Sequence, residues 1–259
     1  MPTAGHIDVR GCKLHVQRSG NGAPLLFLHG AQGLLGWEPV LAALAERFDV
    51  IAPDHPGFGR SDIADGVDDI GDLSLFYFDA LKALGLSGVH VVGHCLGGWT
   101  AMEMAIRNTG PLKTLTLVAS AGLRLEGVPR ADMFIRTQDE LAQLLFAGNG
   151  AGSWLQAWRA SPEAEEIYDR NRTAAARFSW QPRLCNPKLS RWLHRIDVPT
   201  HIVWGENDAV LPTAYAMGLK DRIAGATMTA IPACGHLPHV EQPAQVAAIA
   251  TDFIQRAAS

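Results

Sequence analysis

Short apolar runs alternate along the chain with stretches whose apolar residues recur at three- and four-residue spacing. The apolar runs occupy residues 24–28, 49–53, 89–92 and 113–119. Continuous runs of this length are typical of strands covered on both faces, and the spacing between them is typical of amphipathic helices. Residues 7–17 instead alternate apolar and polar positions, which predicts a hairpin with one solvated face. The pattern as a whole predicts an α/β fold.

The alternation of strand and helix stops between residues 123 and 195. Apolar residues in this segment keep to helical spacing, and Ser161 followed by Pro162 and Glu163 has the features of a helix N-terminus. The α/β pattern resumes at residue 196. The sequence therefore predicts a helical insertion within an α/β core.

Composition and charge narrow the class of protein. With 259 residues, 47% of them apolar and 19% charged, the chain can bury one large core or one core with a small appended domain. A net charge of -4 argues against nucleic acid or an acidic membrane as the main partner. The chain shows no membrane-spanning apolar stretch and no secretory signal pattern, so we expect a soluble cytoplasmic protein. Its four cysteines lack the pairing of a zinc site, and we expect no metal ion.

A cysteine lies between two glycines where the run 89–92 ends and a helical pattern begins. Residues 93–97, Gly-His-Cys-Leu-Gly, have the spacing of the nucleophile elbow G-x-S-x-G, with Cys95 in place of serine. The glycines let strand and helix approach closely, and the helix N-terminus favours a thiolate and an oxyanion beside it. The alternative is a glycine-rich turn that carries an inert buried cysteine.

Several further segments resemble the α/β-hydrolase superfamily. Residues 29–33 resemble its H-G-x-x-G loop, and residues 54–61 resemble its D-x-x-G-x-G-x-S turn. The resemblance implies an oxyanion hole made by the backbone N–H groups of Ala31 and Leu96. Residues 205–208 resemble the segment that carries the acid of the family, which implies Asp208.

The last predicted strand leads into a segment that resembles the histidine loop of the same superfamily. This implies His236 as the base, and Gly235 before it favours it over His239. The order of nucleophile, acid and histidine along the chain is that of this fold. Because Asp208 and His236 each follow a strand, we expect both at the sheet edge that carries Cys95.

The resemblance also implies the architecture. It is a mostly parallel eight-stranded sheet with helices on both faces and a helical cap after strand 6. We expect residues 1–122 and 196–259 to form the core and residues 123–195 the cap. Such a cap resembles those of epoxide-hydrolase-like and C–C-bond-hydrolase-like members, and it would close the site from above.

The second half of the predicted cap is strongly basic. Residues 170–195 contain six arginines and Lys188 but no acid. These charges either pair with the acidic first half and with solvent, or they guide an anionic substrate. We expect Gln32, Trp180 and His239 to contact the substrate.

The resemblance implies a hydrolase of a small carboxylic ester, lactone or related carbonyl compound that works through a Cys-His-Asp triad and an acyl-cysteine. No cofactor is expected. A cysteine at the nucleophile position resembles the arrangement in dienelactone hydrolases and polyhydroxyalkanoate synthases. Position 95 does not carry an aspartate, which argues against dehalogenation and epoxide opening. Three alternatives remain open: an acyltransferase that uses the same acyl-Cys95, a C–C bond hydrolase, and a receptor with little turnover.

Overall fold

A mixed eight-stranded sheet forms the centre of the computed structural model, which describes residues 1–148 and 150–257. The strands are β1 Thr3–Val9, β2 Cys12–Ser19, β3 Pro24–Leu28, β4 Asp49–Pro53, β5 Val89–His94, β6 Leu112–Val118, β7 Thr200–Gly205 and β8 Thr227–Ile231. Their order in the sheet is β1-β2-β4-β3-β5-β6-β7-β8. The pairs β1–β2 and β2–β4 are antiparallel and all later pairs are parallel. The predicted mostly parallel eight-stranded sheet is confirmed.

Helices cover the sheet on both faces. They are α1 Pro39–Ala45, α2 Ile70–Ala83, α3 Leu96–Arg107, α4 Gln138–Leu145, α5 Gly150–Trp158, α6 Pro162–Ser179, α7 Ala214–Lys220, α8 Pro238–Glu241 and α9 Pro243–Ala257. Successive side chains of a strand point to opposite faces. In β3, Leu26 and Leu28 accordingly pack in the core that includes α2 and α3, whereas Leu25 and Phe27 pack in the core that includes α1 and α9.

The N-terminal hairpin has a two-residue turn. Val9 pairs with Cys12, and the intervening Arg10 and Gly11 have φ angles of 55° and 86°. A positive φ at both central residues matches the twist of the flanking strands. The turn therefore sets the register of β1 on β2.

The segment between β6 and β7 is helical over its described residues. It contains α4, α5 and α6, followed by two short 3-10 helices, Leu189–Arg191 and Leu193–Arg195. Ser161 caps α6, since its Oγ accepts a hydrogen bond from the Ala164 N–H at 3.2 Å. Asn171, fully buried on α6, contacts two loops of the core. Among the described residues, no helix has the length and apolar character needed to span a membrane.

The approach of α3 to the sheet predicts a sharp difference between two Gly→Ala variants. A Cβ at Gly97 in α3 would lie 2.0 Å from the backbone oxygen of Leu28, whereas a Cβ at Gly152 in α5 meets nothing within 4 Å. We expect Gly97→Ala to lower the free energy of unfolding by at least about 3 kcal/mol. We expect Gly152→Ala to leave it unchanged or raise it by up to about 1 kcal/mol, because alanine is the better helix former. Urea unfolding measures both, and a loss below about 1 kcal/mol in Gly97→Ala would contradict the close approach.

Candidate active site

Cys95 occupies a strained turn between β5 and α3. Its φ of 47° and ψ of -108° lie where a residue with a Cβ rarely resides, at a cost of roughly 1–3 kcal/mol. Its N–H donates to the Val118 backbone oxygen at 3.0 Å, and its own oxygen accepts from the Trp99 and Ala121 N–H groups, each at 3.0 Å. These bonds hold the turn against the strain.

The positions around Cys95 need glycine because neighbouring atoms leave no room for a side chain. A Cβ at Gly93 would lie 2.6 Å from the Gly97 backbone oxygen, and one at Gly98 would lie 1.9 Å from Ser120 Oγ. Any larger residue at either position would push α3 away from β5. The sequence pattern therefore has a direct steric cause.

Asp208 and His236 form a buried ion pair beyond the ends of β7 and β8. Asp208 Oδ2 lies 2.8 Å from His236 Nδ1, and both side chains are fully inaccessible to solvent. Asp208 Oδ1 accepts hydrogen bonds from the N–H groups of Val210 and Leu211, each at 2.8 Å. These two donors stabilise the carboxylate away from water. They also fix the carboxylate, which in turn orients the imidazole.

The second nitrogen of His236 is free to act. Nε2 is buried, and apart from an interaction with the Cys95 side chain it has no hydrogen-bond partner among the described residues. Burial by itself lowers the pKa of His236, but the charges of Asp208 and Cys95 outweigh burial and raise this pKa to about 10. The protonated form of His236 is therefore favoured at neutral pH, and in this form the ring can donate a proton.

The loop after β3 lies directly against Cys95. A Cβ at Gly30 would lie 3.2 Å from the Cβ of Cys95. Ala31 follows Gly30 in the chain, and Leu96 is the first residue of α3, so its N–H has no acceptor within that helix. Gly30 and Leu96 thus lie beside the cysteine, and the oxyanion hole expected from the N–H groups of Ala31 and Leu96 stays a prediction.

A buried polar network holds this loop. His55 Nε2 donates to the His29 backbone oxygen at 2.9 Å, and the His55 N–H donates to His29 Nε2 at 2.9 Å. Tyr77 donates to His55 Nδ1, and burial lowers the pKa values of both histidines. From α6, Asn171 Nδ2 donates to the Gln32 backbone oxygen at 2.8 Å. Neutral histidines and a cap amide therefore position the loop without adding charge.

Two adjoining cavities lie next to the residues that surround Cys95. The outer one has a volume of about 540 Å³ and lies between α5 and the loops of the core. The inner one, about 20 Å³, is lined by Gly30 and His94, which lie beside Cys95, although Cys95 itself lines neither cavity. The residues that line both cavities are Glu38, Trp154, Trp158, His239 and Val240. These shared side chains form the boundary between the two cavities.

The structure brings together most, but not all, of the residues singled out from the sequence. Gln32 and His239 line the inner cavity. Trp180 does not: it is half-exposed and packs against Phe134 and Arg183. The expectation that it contacts the substrate therefore finds no support in the geometry.

The arginines of residues 170–195 do not line the two cavities. Arg170 donates to backbone oxygens of Gly57 and Ser61, and Arg195 donates to that of Ile106. Arg177 pairs with Asp68 at 2.7 Å. Arg172 donates to backbone oxygens, and Arg183 pairs with Asp132. Five of the six arginines therefore bind the protein itself, and the guidance of an anionic substrate stays a prediction.

Sequence patterns gave no sign of His94 and Glu38. His94 Nε2 donates to the His236 backbone oxygen at 2.9 Å, and its ring lies 4.1 Å from that of His239. Glu38 precedes α1 and is 16% exposed, yet it lines both cavities. Tryptophan and proline flank it in the sequence, which marks a helix start but not a cavity wall.

A sequence model of the alpha/beta hydrolase family matches residues 25–249. The chain belongs to this family. Among curated relatives, 2-hydroxymuconate semialdehyde hydrolase of Pseudomonas sp. strain CF600 is 27% identical over 97% of this chain and 93% of its own. The putative carbamate hydrolase RutD of Azorhizobium caulinodans is 29% identical over 82% of this chain and 85% of its own.

Solved structures of hydrolases share the fold. A serine hydrolase involved in carbazole degradation, the CarC enzyme, matches with a TM-score of 0.81 at 24% identity. The match covers 99% of this chain and 100% of that one. The alpha/beta hydrolase fold predicted from the sequence is confirmed. The protein is accordingly a hydrolase of this family.

The burial of Glu38 in this hydrolase predicts a pH-dependent stability. Burial raises the pKa of Glu38 to about 7 from an ordinary value near 4.5, against a weaker opposing contact with the Leu35 N–H. Stability is therefore lost as the pH rises from about 4.5 to 7, because the folded state resists ionisation of this group. We expect Glu38→Gln to raise the free energy of unfolding by on the order of 2 kcal/mol at pH 8 and to change it little at pH 4.

Urea unfolding at the two pH values measures this effect. Glu46→Gln is the matched control, since it removes the same charge from an exposed position at the other end of α1. It should show no such dependence. Equal stabilities of Glu38→Gln and the parent at pH 8 would show that the carboxylate is not desolvated.

Proposed function

We propose that the protein hydrolyses small carboxylic esters, lactones or related carbonyl compounds through a covalent acyl-Cys95 intermediate. The observation that carries the proposal is the state of His236. Its Nδ1 is bonded to Asp208 at 2.8 Å, while its buried Nε2 has no described partner apart from the Cys95 side chain, which contributes to its raised pKa. A base that an acid orients on one side and that interacts with the nucleophile on the other is the arrangement that nucleophilic catalysis requires.

In the first half-reaction, Cys95 Sγ attacks the carbonyl carbon of the substrate. The carbonyl oxygen becomes an oxyanion, which the N–H groups of Ala31 and Leu96 stabilise. The C–O bond to the leaving group then breaks, and the His236 imidazolium gives its Nε2 proton to the departing alkoxide. The products of this step are an alcohol and a thioester on Cys95.

In the second half-reaction, the now neutral His236 takes a proton from water. The resulting hydroxide attacks the thioester carbonyl, and the C–S bond breaks. The acid is released, and Cys95 and His236 return to their starting charges. Asp208 keeps the imidazole ring in place through both steps and stabilises its positive charge.

The helical segment 123–195 acts as the cap in this proposal. Trp154 and Trp158 of α5 form part of both cavity walls, and the His236 N–H donates to the Leu145 backbone oxygen of α4 at 2.8 Å. The segment thus contacts the base and also covers the route to it. Closing the site in this way excludes bulk water during formation of the thioester.

A C–C bond hydrolase is the second candidate, and the names of the relatives favour it. The relative from Metapseudomonas resinovorans, 26% identical, is named as a hydrolase of a dienoic acid. Such a substrate carries a carboxylate. No lysine or arginine lies among the described residues that line the two cavities, which favours the ester over the dienoate for this chain.

Separate assays of the hydrolysis of p-nitrophenyl butyrate and of 2-hydroxy-6-oxo-6-phenylhexa-2,4-dienoate distinguish an esterase from a C–C bond hydrolase. We expect a higher kcat/KM for the ester. Added methanol should leave acid as the main product, whereas an acyltransferase would form methyl butyrate. Binding of both compounds without turnover of either would instead indicate a receptor.

Selective alkylation tests the nucleophile. The imidazolium of His236 supports a thiolate at Cys95, whereas burial raises the pKa of Cys12 and raises that of Cys234 to about 12. At pH 6.5 we expect limiting iodoacetamide to label Cys95 at least about tenfold faster than either. Esterase activity should fall in proportion to that adduct, as measured by peptide mapping.

Two variants serve as controls for this experiment. Cys12→Ala should keep both the activity and the labelling, because Cys12 lies on the hairpin away from the site. His236→Ala should slow the labelling at pH 6.5, since the thiolate loses its cationic partner. Full labelling of Cys95 with activity intact would disprove its role as nucleophile.

A further inference from the structure

We propose that the inner end of the substrate channel is a binding site for a primary ammonium group, formed by Glu38, His239 and Gln32. The inference rests on the proposed function in one respect, since it assigns a substrate class to the same cavity. The occupant is an ester or related compound that carries an alkylamine. The three side chains lie outside the Cys95, Asp208 and His236 constellation.

Unpartnered polar atoms identify the site. Glu38 Oε2, His239 Nδ1 and Gln32 Oε1 are all buried and have no hydrogen-bond partner among the described residues. The His239 side chain is 6% exposed and Gln32 is 9% exposed. Buried polar groups are nearly always hydrogen-bonded, so the unpartnered oxygens of Glu38 and Gln32, two residues that line one cavity, indicate an absent partner.

The geometry suits a single nitrogen with several hydrogens. Glu38 Oε2 and His239 Nε2 are 3.9 Å apart, too far for a hydrogen bond with each other. A nitrogen placed between them can lie about 2.8 Å from both. An ammonium group has a third hydrogen for Gln32 Oε1, which lines the same inner cavity.

The charges in the cavity favour a cation. Burial lowers the pKa of His239 to about 3, so its ring is neutral and offers a lone pair. Glu241 also lines the outer cavity, but its carboxylate already accepts from the Gly235 and Ala147 N–H groups. Glu38 is therefore the acid left for a ligand. A positive partner would stabilise its ionised form in this environment.

The aromatic walls fit the same ligand class. Trp154 and Trp158 line both cavities beside Glu38, and their rings lie 6.2 Å apart. Aromatic faces attract cations, and they bury the methylene chain that follows the ammonium. A carboxylate in the same position would face Glu38, and no lysine or arginine among the described lining residues offsets the repulsion.

Binding of a ligand that cannot react tests the site independently of catalysis. The probes are n-hexylammonium and n-hexanol, which have the same shape but differ in charge. Calorimetric titration at pH 8 should give a Kd for hexylammonium at least tenfold lower than that for hexanol. Glu38→Gln should abolish this preference, and Glu46→Gln, on the exposed surface, should retain it.

Two further measurements exclude a folding artefact. Glu38→Gln should bind hexanol as the parent does, which shows that its cavity is intact. In the parent protein, affinity for hexylammonium should rise roughly tenfold from pH 6 to pH 8 as Glu38 loses its proton. Burial keeps the pKa values of His94 and His239 low, so neither histidine produces this change. Equal affinities for the two probes, or tight amine binding by Glu38→Gln, would overturn the proposal.

Kinetics separate this proposal from that of the preceding subsection. The paired substrates are the p-nitrophenyl esters of 6-aminohexanoate and heptanoate. We expect kcat/KM to favour the amino ester by at least tenfold in the parent and not in Glu38→Gln. If neither ester is turned over but hexylammonium still binds through Glu38, the esterase assignment fails and the ammonium site stands. If both esters are turned over equally, the ammonium site fails and the esterase assignment stands.

Discussion

The close backbone packing of α3 against the sheet is the constraint on which the site depends. Cys95 reaches its position only because Gly97 brings α3 within contact of the β3 exit at Leu28. The same contact places Gly30 against the cysteine, so one packing arrangement sets the positions of both the thiol and the loop after β3. The positive φ of Cys95 is maintained by hydrogen bonds to β6 and to the turn after it. Strain at Cys95 is thus offset by bonds to the centre of the sheet.

Charge within the site is compensated pair by pair. A buried carboxylate such as Asp208 is strongly disfavoured unless it is bonded on every side. Two backbone N–H groups and the His236 imidazolium meet that requirement. His29, His55 and His94 surround the site in neutral form, since burial lowers their pKa values. Of these four histidines, His236 alone has a raised pKa, because it alone is bonded to a carboxylate.

The fold and the central residues were predictable because their signals are local. Glycine spacing around Cys95 marks the turn, and Asp208 and His236 each follow a strand, so the parallel sheet brings them together. Asn171 left no such signal, because its partner Gln32 lies 139 residues away in the chain. The surroundings of Trp180 were not predictable for a related reason. Helical spacing shows that a residue belongs to a helix but does not show which neighbour each face of that helix contacts. The number of arginines in residues 170–195 likewise gives the charge of the segment but does not show which groups the side chains contact. Arg170 and Arg195 donate hydrogen bonds to backbone oxygens of the core.

Glu38 shows how the cavity differs from the rest of the interior. Asp208 has partners at both oxygens, whereas Glu38 has one long contact, 3.5 Å from the Leu35 N–H, and an unpartnered Oε2. A glutamine would fill the same space without the desolvation of a charge. A carboxylate that lowers stability is best explained by a ligand that needs it, since groups under functional selection are often held against stability. The helix that covers Glu38 also carries Trp154 and Trp158, and the next helix carries Asn171, which holds the Gln32 loop. Movement of this helical segment would therefore change the surroundings of Glu38 and the position of the loop beside Cys95 together, because both are in contact with the same helices.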